Sequence, residues 1–199
     1  MRIVVLSSGG IDSSLMMLLL KKEDSLLFPL FIDYGQLAAK AEWEACQKVC
    51  NHLCLKPDRM DVHGFGELIP SGLTDKDLDV EKDAFLPTRN LLFMTLGAAY
   101  GYVKSAYTIA IGLLSDPIFP DQTIQFINDA QKTISQSLGI DITILAPLIS
   151  LDKSDLLRLA RKHQLPLEYT YSCHTGEKTP CGNCISCKEK IAAENELNE

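Results

Sequence analysis

A chain of 199 residues with 46% hydrophobic and 23% charged residues has enough apolar side chains for one well-packed domain, with room for a small appendage. Its net charge of −7 argues against nonspecific binding to nucleic acid or to an anionic membrane surface, because both attract basic proteins. With neither a signal peptide nor a run of about 18 apolar residues, the sequence predicts a cytoplasmic protein without a membrane partner.

The predicted strands and helices alternate along the chain. Strands are expected at 2–7, 26–33, 59–62, 106–112 and 142–145, and helices at 12–22, 36–53, 89–103, 122–138 and 152–163. This alternation favours an α/β fold, with a doubly wound, mostly parallel sheet covered on both faces. We expect residues 1–165 to form this domain and residues 166–199 to form a small segment packed on it.

The first predicted strand runs into a short stretch of glycine, serine and aspartate. Residues 6–14 read Leu-Ser-Ser-Gly-Gly-Ile-Asp-Ser-Ser, and an apolar helical run follows. Glycines let the backbone approach a ligand closely, and the first turn of a helix offers unpaired N–H groups to an anion. The stretch therefore predicts a phosphate-binding loop. The alternative is an ordinary strand–helix turn with Asp12 or Ser13 as the N-cap.

Three further stretches of the body are informative. Asp33-Tyr34-Gly35-Gln36 ends the second strand, at the sheet edge where ligands bind in such folds. Residues 63–88 combine glycine, proline and many charges, and are either a lid on the substrate side or a solvated insertion. Cys46, Cys50 and Cys54 recur every four residues, which favours burial on one helix face over metal binding.

Two cations are expected at helix starts, where the helix dipole disfavours positive charge. Arg89 begins the helix after Leu-Pro-Thr, and Lys153 lies in the first turn of the last predicted helix. Such a local conflict is typical of a functional site, and a bound anion near the glycine loop would explain both residues. A surface position for Arg89 is the alternative.

The C-terminal cysteines have metal-ligand spacing. Cys173, Cys181, Cys184 and Cys187 form C-x7-C-x2-C-x2-C, with a compact Pro-Cys-Gly-Asn-Cys-Ile-Ser-Cys knuckle. Four thiolates suit tetrahedral zinc and leave no open position for a substrate, so a structural zinc site is predicted. An iron–sulfur cluster is the alternative, because parts of the spacing overlap those of ferredoxins.

The run Ser-Gly-Gly-Ile-Asp-Ser at residues 8–13 resembles the pyrophosphatase loop of the N-type ATP pyrophosphatases, which adenylate a substrate oxygen. Together with the four-cysteine site, it resembles the 7-cyano-7-deazaguanine synthase family of the queuosine and archaeosine pathway. The remaining landmarks are Asp33-Tyr34-Gly35-Gln36, Pro87-Thr88-Arg89-Asn90, Gly112, Pro120-Asp121 and Lys153. The resemblance implies an adenine nucleotide α-hydrolase-like fold.

The resemblance also implies an ATP-dependent carbon–nitrogen ligase that adenylates the carboxylate of 7-carboxy-7-deazaguanine and uses ammonia to form the nitrile. The family often forms homodimers, so a homodimer is possible here. Catalysis would fall to Asp12, Arg89 and Lys153; ATP with Mg²⁺ would bind Ser8, Gly9, Gly10, Asp12, Ser13, Ser14, Arg89 and Lys153; the substrate would bind Tyr34, Gln36, Asn90 and Asp121; and zinc would bind Cys173, Cys181, Cys184 and Cys187.

Two departures from the family pattern lie on the acceptor side. Thr88 replaces the glycine of V-P-G-R-N, and residues 117–123 lack the Ser-Gly pair, the Cys and the Arg of S-G-Y-P-D-C-R. They leave open a divergent relative, of the kind that accompanies anti-phage genes, which couples the activated deazaguanine to another amine such as a protein. Two further hypotheses are a tRNA sulfur transferase and a nucleotide-binding module without catalysis.

Overall fold

The polypeptide, which a computed structural model describes for residues 1–197, folds around a parallel sheet. Its five strands lie in the spatial order β3-β2-β1-β4-β5, and all neighbours are parallel. Because the chain winds in both directions from β1, a crevice opens at the carboxyl ends of β1 and β4. The strands are β1 (Arg2–Leu6), β2 (Leu26–Asp33), β3 (Asp58–Asp61), β4 (Thr108–Ala110) and β5 (Thr143–Leu145).

Helices cover both faces of the sheet. They are α1 (Ile11–Lys22), α2 (Ala39–His52), α3 (Gly64–Leu68), α4 (Arg89–Lys104), α5 (Ile124–Leu138), α6 (Lys153–Lys162) and α7 (Ile185–Glu196). Alternate residues of β1 point to opposite faces, so Ile3 packs under α1, α2 and α6, whereas Val4 packs under α4 and α5. No helix within residues 1–197 is long and apolar enough to cross a membrane.

The predicted fold class is confirmed, and several element bounds are tighter than the sequence suggested. Helix α2 begins at Ala39, so Gln36 lies in the turn before it. Helix α5 begins at Ile124, because Pro120–Gln122 forms a separate 3₁₀ turn. Pro29 lies inside β2 and has no N–H to donate, but β3 pairs only from Leu30 onward. Helices α3 and α7 were not predicted.

Residues 63–88 are anchored to the body at several points. The Gly66 N–H donates to the Tyr34 carbonyl at 2.9 Å, and the Leu37 N–H donates to the Leu73 carbonyl at 2.8 Å. Leu73 and Ala84 are buried. The segment therefore packs against the turn after β2, and the interpretation as a wholly solvated insertion is wrong.

The expectation for the helix-face cysteines holds for two of the three. Cys46 and Cys50 are fully buried against α1 and the sheet, as predicted. Cys54 is exposed, and the prediction that it is core is wrong. Helix α2 ends at His52, and Cys54 adopts a left-handed backbone with φ of 54°, so the four-residue spacing no longer keeps it on the buried face.

The C-terminal segment packs on the sheet domain through α7. Ala193 is buried in the core under α6, and the Glu196 carboxylate accepts a hydrogen bond from the Ser154 hydroxyl at 2.5 Å. Near its other end, the Tyr171 N–H donates to the Gly9 carbonyl at 2.9 Å. A domain boundary at residue 165 stays a prediction.

Thr88 is expected to destabilise the protein, because it adopts a left-handed backbone with φ of 62° immediately before α4. For a residue with a Cβ, this backbone conformation costs about 1–2 kcal/mol. Glycine avoids that cost, but part of the gain is lost because glycine also increases the conformational entropy of the unfolded chain. Thr88→Gly should therefore raise the free energy of unfolding by about 0.5 to 1 kcal/mol, measured by urea denaturation.

Thr95→Gly is the matched control, since Thr95 is exposed inside the same helix with its hydroxyl on the Leu91 carbonyl at 2.8 Å. This variant should lose about 0.5 kcal/mol, because glycine is a poor residue for a helix interior. Equal losses in both variants would show that the Thr88 backbone carries no strain.

Candidate active site

A cavity of about 280 Å³ lies at the carboxyl ends of β1, β2 and β4. Widely separated parts of the chain line it, among them the glycine loop after β1, the turn after β2, the start of α4, the stretches after β4 and before α5, and the segment that contains the last four cysteines. Residues far apart in sequence thus meet in one place, at the crevice where this topology binds ligands.

The glycine loop is shaped by its neighbours. Gly9 has φ of +80°, and a Cβ there would lie 2.4 Å from the Glu42 carbonyl oxygen of α2. The Ser8 N–H donates to the Ser13 hydroxyl at 3.2 Å, and that hydroxyl lies 3.2 Å from the Gly10 carbonyl. The loop therefore requires glycine at position 9, and hydrogen bonds within the loop hold its two cavity-facing serines, Ser8 and Ser13.

Asp12 and Lys153 form an ion pair across the loop. Lys153 Nζ lies 2.7 Å from Asp12 Oδ1, and only 11% of the lysine side chain is exposed. The Asp152 carboxylate caps α6 by accepting from the Asp155 N–H at 2.7 Å. The carboxylates of Asp152 and of Asp12 in the glycine loop thus offset the unfavourable interaction between Lys153 and the dipole at the start of α6.

The turn after β2 is locked by its own side chains. Asp33 accepts from the Gly35 N–H at 3.1 Å and pairs with Arg59. Burial alone would raise the pKa of Asp33, but these two partners hold it below its usual value. Gln36 is buried, and its Oε1 accepts from the Tyr34 N–H at 3.0 Å.

Arg89 faces an aromatic wall. Its guanidinium lies 5.9 Å from the ring centres of both Tyr34 and Phe93, and one N–H donates to the Tyr34 hydroxyl at 3.5 Å. The two rings are 5.3 Å apart. This arrangement offers a cation beside flat apolar surfaces, which suits a ligand with a ring and an anionic group.

Asn90 and Asp121 are paired with each other. The Asp121 carboxylate accepts from the Asn90 backbone N–H at 3.2 Å and from its side-chain amide at 3.1 Å. Both residues are buried, and only Asn90 lines the cavity. Asp121 is placed to orient Asn90, and its position does not fit the predicted direct contact with substrate.

The structure brings most of the predicted site residues together. Those that line the cavity are Ser8, Gly10, Asp12, Ser13, Tyr34, Gln36, Arg89 and Asn90. Gly9 and Lys153 lie directly behind this surface. Ser14 is fully buried, its hydroxyl has no hydrogen-bond partner within residues 1–197, and a contact with ATP does not fit this position.

Several cavity residues were missed in the sequence, and six of them belong to the C-terminal segment: Tyr171, Ser172, His174, Ile185, Ser186 and Glu189. Beyond the Tyr171 bond to Gly9, the Ser172 hydroxyl accepts from the Ile11 N–H at 3.4 Å. His174 Nδ1 is buried and has no hydrogen-bond partner in the described part of the chain. Burial, with the nearby charges of Arg89 and Lys153, lowers the His174 pKa to about 4. The position of Ser172 and His174 next to Cys173 was the available signal.

The four C-terminal cysteines converge. Their Sγ atoms all lie within 4.8 Å of one another, so they can hold one metal ion. Backbone N–H groups point at the sulfurs: Cys181 N–H donates to Cys173 Sγ and Cys184 N–H to Cys181 Sγ, both at 3.3 Å. Burial opposes ionisation of Cys173, but the N–H of Cys181 and the Thr175 hydroxyl lower its pKa to about 6.

A parallel sheet with a glycine-serine-aspartate loop at the carboxyl end of β1 is the architecture of the PP-loop ATP pyrophosphatases. The NH3-dependent NAD synthetase from Campylobacter jejuni has this fold, with a TM-score of 0.55 at 18% identity over 99% of this chain and 83% of that one. A U34-tRNA thiolase with a [4Fe-4S] cluster from Methanococcus maripaludis gives 0.53 at 15% identity, covering 100% and 65%. These likenesses concern the fold alone.

The chain belongs to the family described as queuosine biosynthesis protein QueC, whose model matches residues 2–198. A 7-cyano-7-deazaguanine synthase from Aliarcobacter butzleri is 31% identical over 96% of this chain and 89% of its own. Another from Picrophilus torridus is 35% identical over 94% and 84%. The resemblance stated from the motifs is therefore confirmed at the level of the family.

Cys184→Ser should unfold the C-terminal segment, because a metal held by four thiolates contributes its binding free energy to folding. We expect a loss of more than about 3 kcal/mol in unfolding free energy and a loss of bound metal, measured by denaturation and elemental analysis. Cys54→Ser, at an exposed cysteine outside the cluster, should change neither. Equal metal content in both variants would remove Cys184 from the site.

Proposed function

We propose that the protein is a cytoplasmic, ATP-dependent ligase that converts 7-carboxy-7-deazaguanine to 7-cyano-7-deazaguanine with ammonia. The observation that carries this proposal is the family match over residues 2–198, together with relatives that are named 7-cyano-7-deazaguanine synthase. The cavity supports it, because the glycine loop, a cation and aromatic rings face one space.

The first stage activates the carboxylate. A substrate carboxylate oxygen attacks the α-phosphorus of ATP, the bond to the β-phosphate oxygen breaks, and pyrophosphate leaves. Ammonia then adds to the acyl carbon, AMP leaves with the former carboxylate oxygen, and the nitrogen loses a proton to give the amide. In the second stage the amide oxygen attacks the α-phosphorus of a second ATP and pyrophosphate leaves. Loss of AMP with the former amide oxygen, and of the two remaining N–H protons, then gives the nitrile.

The chain's own residues would supply charge and orientation. The hydroxyls of Ser8 and Ser13, with loop N–H groups, would hold the leaving pyrophosphate, because both serines face the cavity and are fixed by hydrogen bonds within the loop. Arg89 and Lys153 would offset the negative charge that develops on the phosphates. Tyr34, Gln36 and Asn90 would contact the ring of the substrate, with Asn90 oriented by Asp121.

Asp12 would hold Mg²⁺, which neutralises phosphate charge when bound with ATP. Its Oδ1 pairs with Lys153, and Oδ2 makes no hydrogen bond within residues 1–197, so one oxygen is open to a cation. Carboxylate oxygens are the ligands that Mg²⁺ prefers.

Zinc is the metal we propose for the four cysteines. Zn–S bonds of about 2.3 Å at tetrahedral angles place the sulfurs about 3.8 Å apart, which agrees with Sγ atoms within 4.8 Å of one another. In a four-iron cluster each thiolate binds a different iron, so the sulfurs lie farther apart. Zinc would fix residues 171–174 against the glycine loop and take no part in the chemistry.

A second candidate differs in the acceptor amine. Ile118 and Phe119 line the cavity, Phe85 lies 5.2 Å from Phe119 between ring centres, and Ile118 and Phe85 are exposed. Ile118 and Phe119 stand where the family pattern has Gly and Tyr. The exposed apolar surface at this mouth favours a larger acceptor such as the amine of a protein chain.

Asp12→Asn should lower kcat/KM for AMP release by about 100-fold or more, because it removes a charge beside the phosphates. AMP and pyrophosphate are measured with ATP and 7-carboxy-7-deazaguanine, and circular dichroism checks that the fold is retained. Asp141→Asn, at an exposed residue before β5 on the far edge of the sheet, should keep full activity. Undiminished turnover by Asp12→Asn would exclude Asp12 from the site.

Mass spectrometry of the products separates the two acceptors. With ammonia as the added amine, the first candidate yields the nitrile. Nitrile as the sole product in the presence of candidate protein amines would refute the second candidate. A deazaguanine amide on a protein would support it. If ATP is not consumed with 7-carboxy-7-deazaguanine under either condition, both candidates fail.

A further inference from the structure

Glu42 is a charged residue of the cavity that the reaction above leaves unused. It projects from α2, on the face that also carries the buried residues Ala45, Cys46 and Val49. A carboxylate on the buried face of a helix is costly unless it has partners, so its position needs an explanation.

Gln36 fixes one of the two carboxylate oxygens. The Gln36 Nε2 amide donates to Glu42 Oε2 at 2.8 Å and to the Ile32 carbonyl at 3.4 Å, and its Oε1 accepts from the Tyr34 N–H. Gln36 is only 6% exposed, so it has little freedom to move. The Glu42 carboxylate is therefore held in one orientation.

The other oxygen, Oε1, is open to the cavity. It accepts no hydrogen bond within residues 1–197. Only two buried side-chain polar atoms in that range lack a partner, Ser14 Oγ and His174 Nδ1, so Glu42 Oε1 is not a buried atom. Glu42 Oε1 is thus accessible, and the space that it reaches is the cavity that Glu42 lines. A ligand there would meet a carboxylate oxygen that accepts no hydrogen bond within residues 1–197.

The surroundings of Glu42 suit the polar edge of a flat ring. The rings of Tyr34 and Phe93 stand beside it in the cavity wall, and its own carbonyl oxygen touches the glycine loop at Gly9. Burial, with the negative charge of Asp33, raises the pKa of Glu42 to about 7, against the effects of Gln36 and Arg89. Two N–H donors from a ligand would stabilise its ionised form.

We propose that Glu42 is the specificity-determining residue for the deazaguanine ring: it accepts hydrogen bonds from the ring N1–H and from the 2-amino group. The assignment rests on the function proposed above. A guanine-type ring presents these two donors side by side, and an ionised carboxylate is their matching acceptor. A ring without the 2-amino group would leave part of the buried carboxylate unpaired, which is costly.

The test compares two ligands and two variants. Dissociation constants are measured by calorimetry for 7-carboxy-7-deazaguanine and for 7-carboxy-7-deazahypoxanthine, which lacks the 2-amino group. The native protein should prefer the first by about 100-fold, because sites built to bond a group reject analogues without it. Glu42→Gln can accept only one of the two donors, and it should reduce the preference to about threefold. Glu44→Gln, exposed on the same helix, should keep the native preference.

The pH dependence gives a second readout. Below about pH 7 the Glu42 carboxyl becomes protonated. The affinity of the native protein for 7-carboxy-7-deazaguanine should therefore decrease as the pH is lowered through 7, whereas the affinity of Glu42→Gln should stay constant. The remaining titratable groups that face Glu42 are present in both proteins, which isolates its contribution. They are Asp33, Tyr34, Cys46, Arg89 and Tyr171.

The outcomes separate the two proposals. A native-like preference in Glu42→Gln, or a fall in kcat with unchanged affinity, would overturn the assignment while the proposed function stands. Failure of the native protein to bind either ring would overturn the proposed function and this assignment together.

Discussion

The backbone hydrogen bond from Tyr171 to Gly9 joins the C-terminal segment to the glycine loop after β1, at the candidate active site. Gly9 also meets α2 so closely that no Cβ fits there. The loop after β1, the helix after β2 and the cysteine segment are thus fixed at one glycine. Groups fixed in this way need little reorganisation when charge develops beside them, which is how preorganised sites stabilise charge.

The features that were predictable from sequence are those that local chemistry determines. The apolar run before Ser7 and the glycines after it place a strand and a turn, and they do so whatever surrounds them. Arg89 is recognisable because it conflicts with the helix that it begins. The spacing of the C-terminal cysteines likewise predicts that their sulfurs meet, and those of Cys173, Cys181, Cys184 and Cys187 do converge.

The features that escaped prediction depend on neighbours that the sequence does not bring together. In the sequence Glu42 resembles any surface glutamate, and only the fold brings the Gln36 amide and the Gly9 backbone next to it. His174 follows Cys173 of the cysteine cluster in the chain, and beyond that neighbour nothing local indicates that its side chain lines the cavity. Ser14 follows the loop motif directly, but the rotation of one residue along α1 turns it into the core.

The pairing of β1 with β4 has a consequence for the order of folding. Ile3 lies beside Thr108, so the strand that carries the loop is completed only by a strand roughly half a chain away. Such non-local pairing closes slowly, because a long intervening chain must lose entropy first. Until β4 arrives, one side of β1 is an apolar open edge that can pair with other chains. Because β1, which leads into the glycine loop, lies at the centre of the sheet, both of its edges are covered only when β2 and β4 have paired with it.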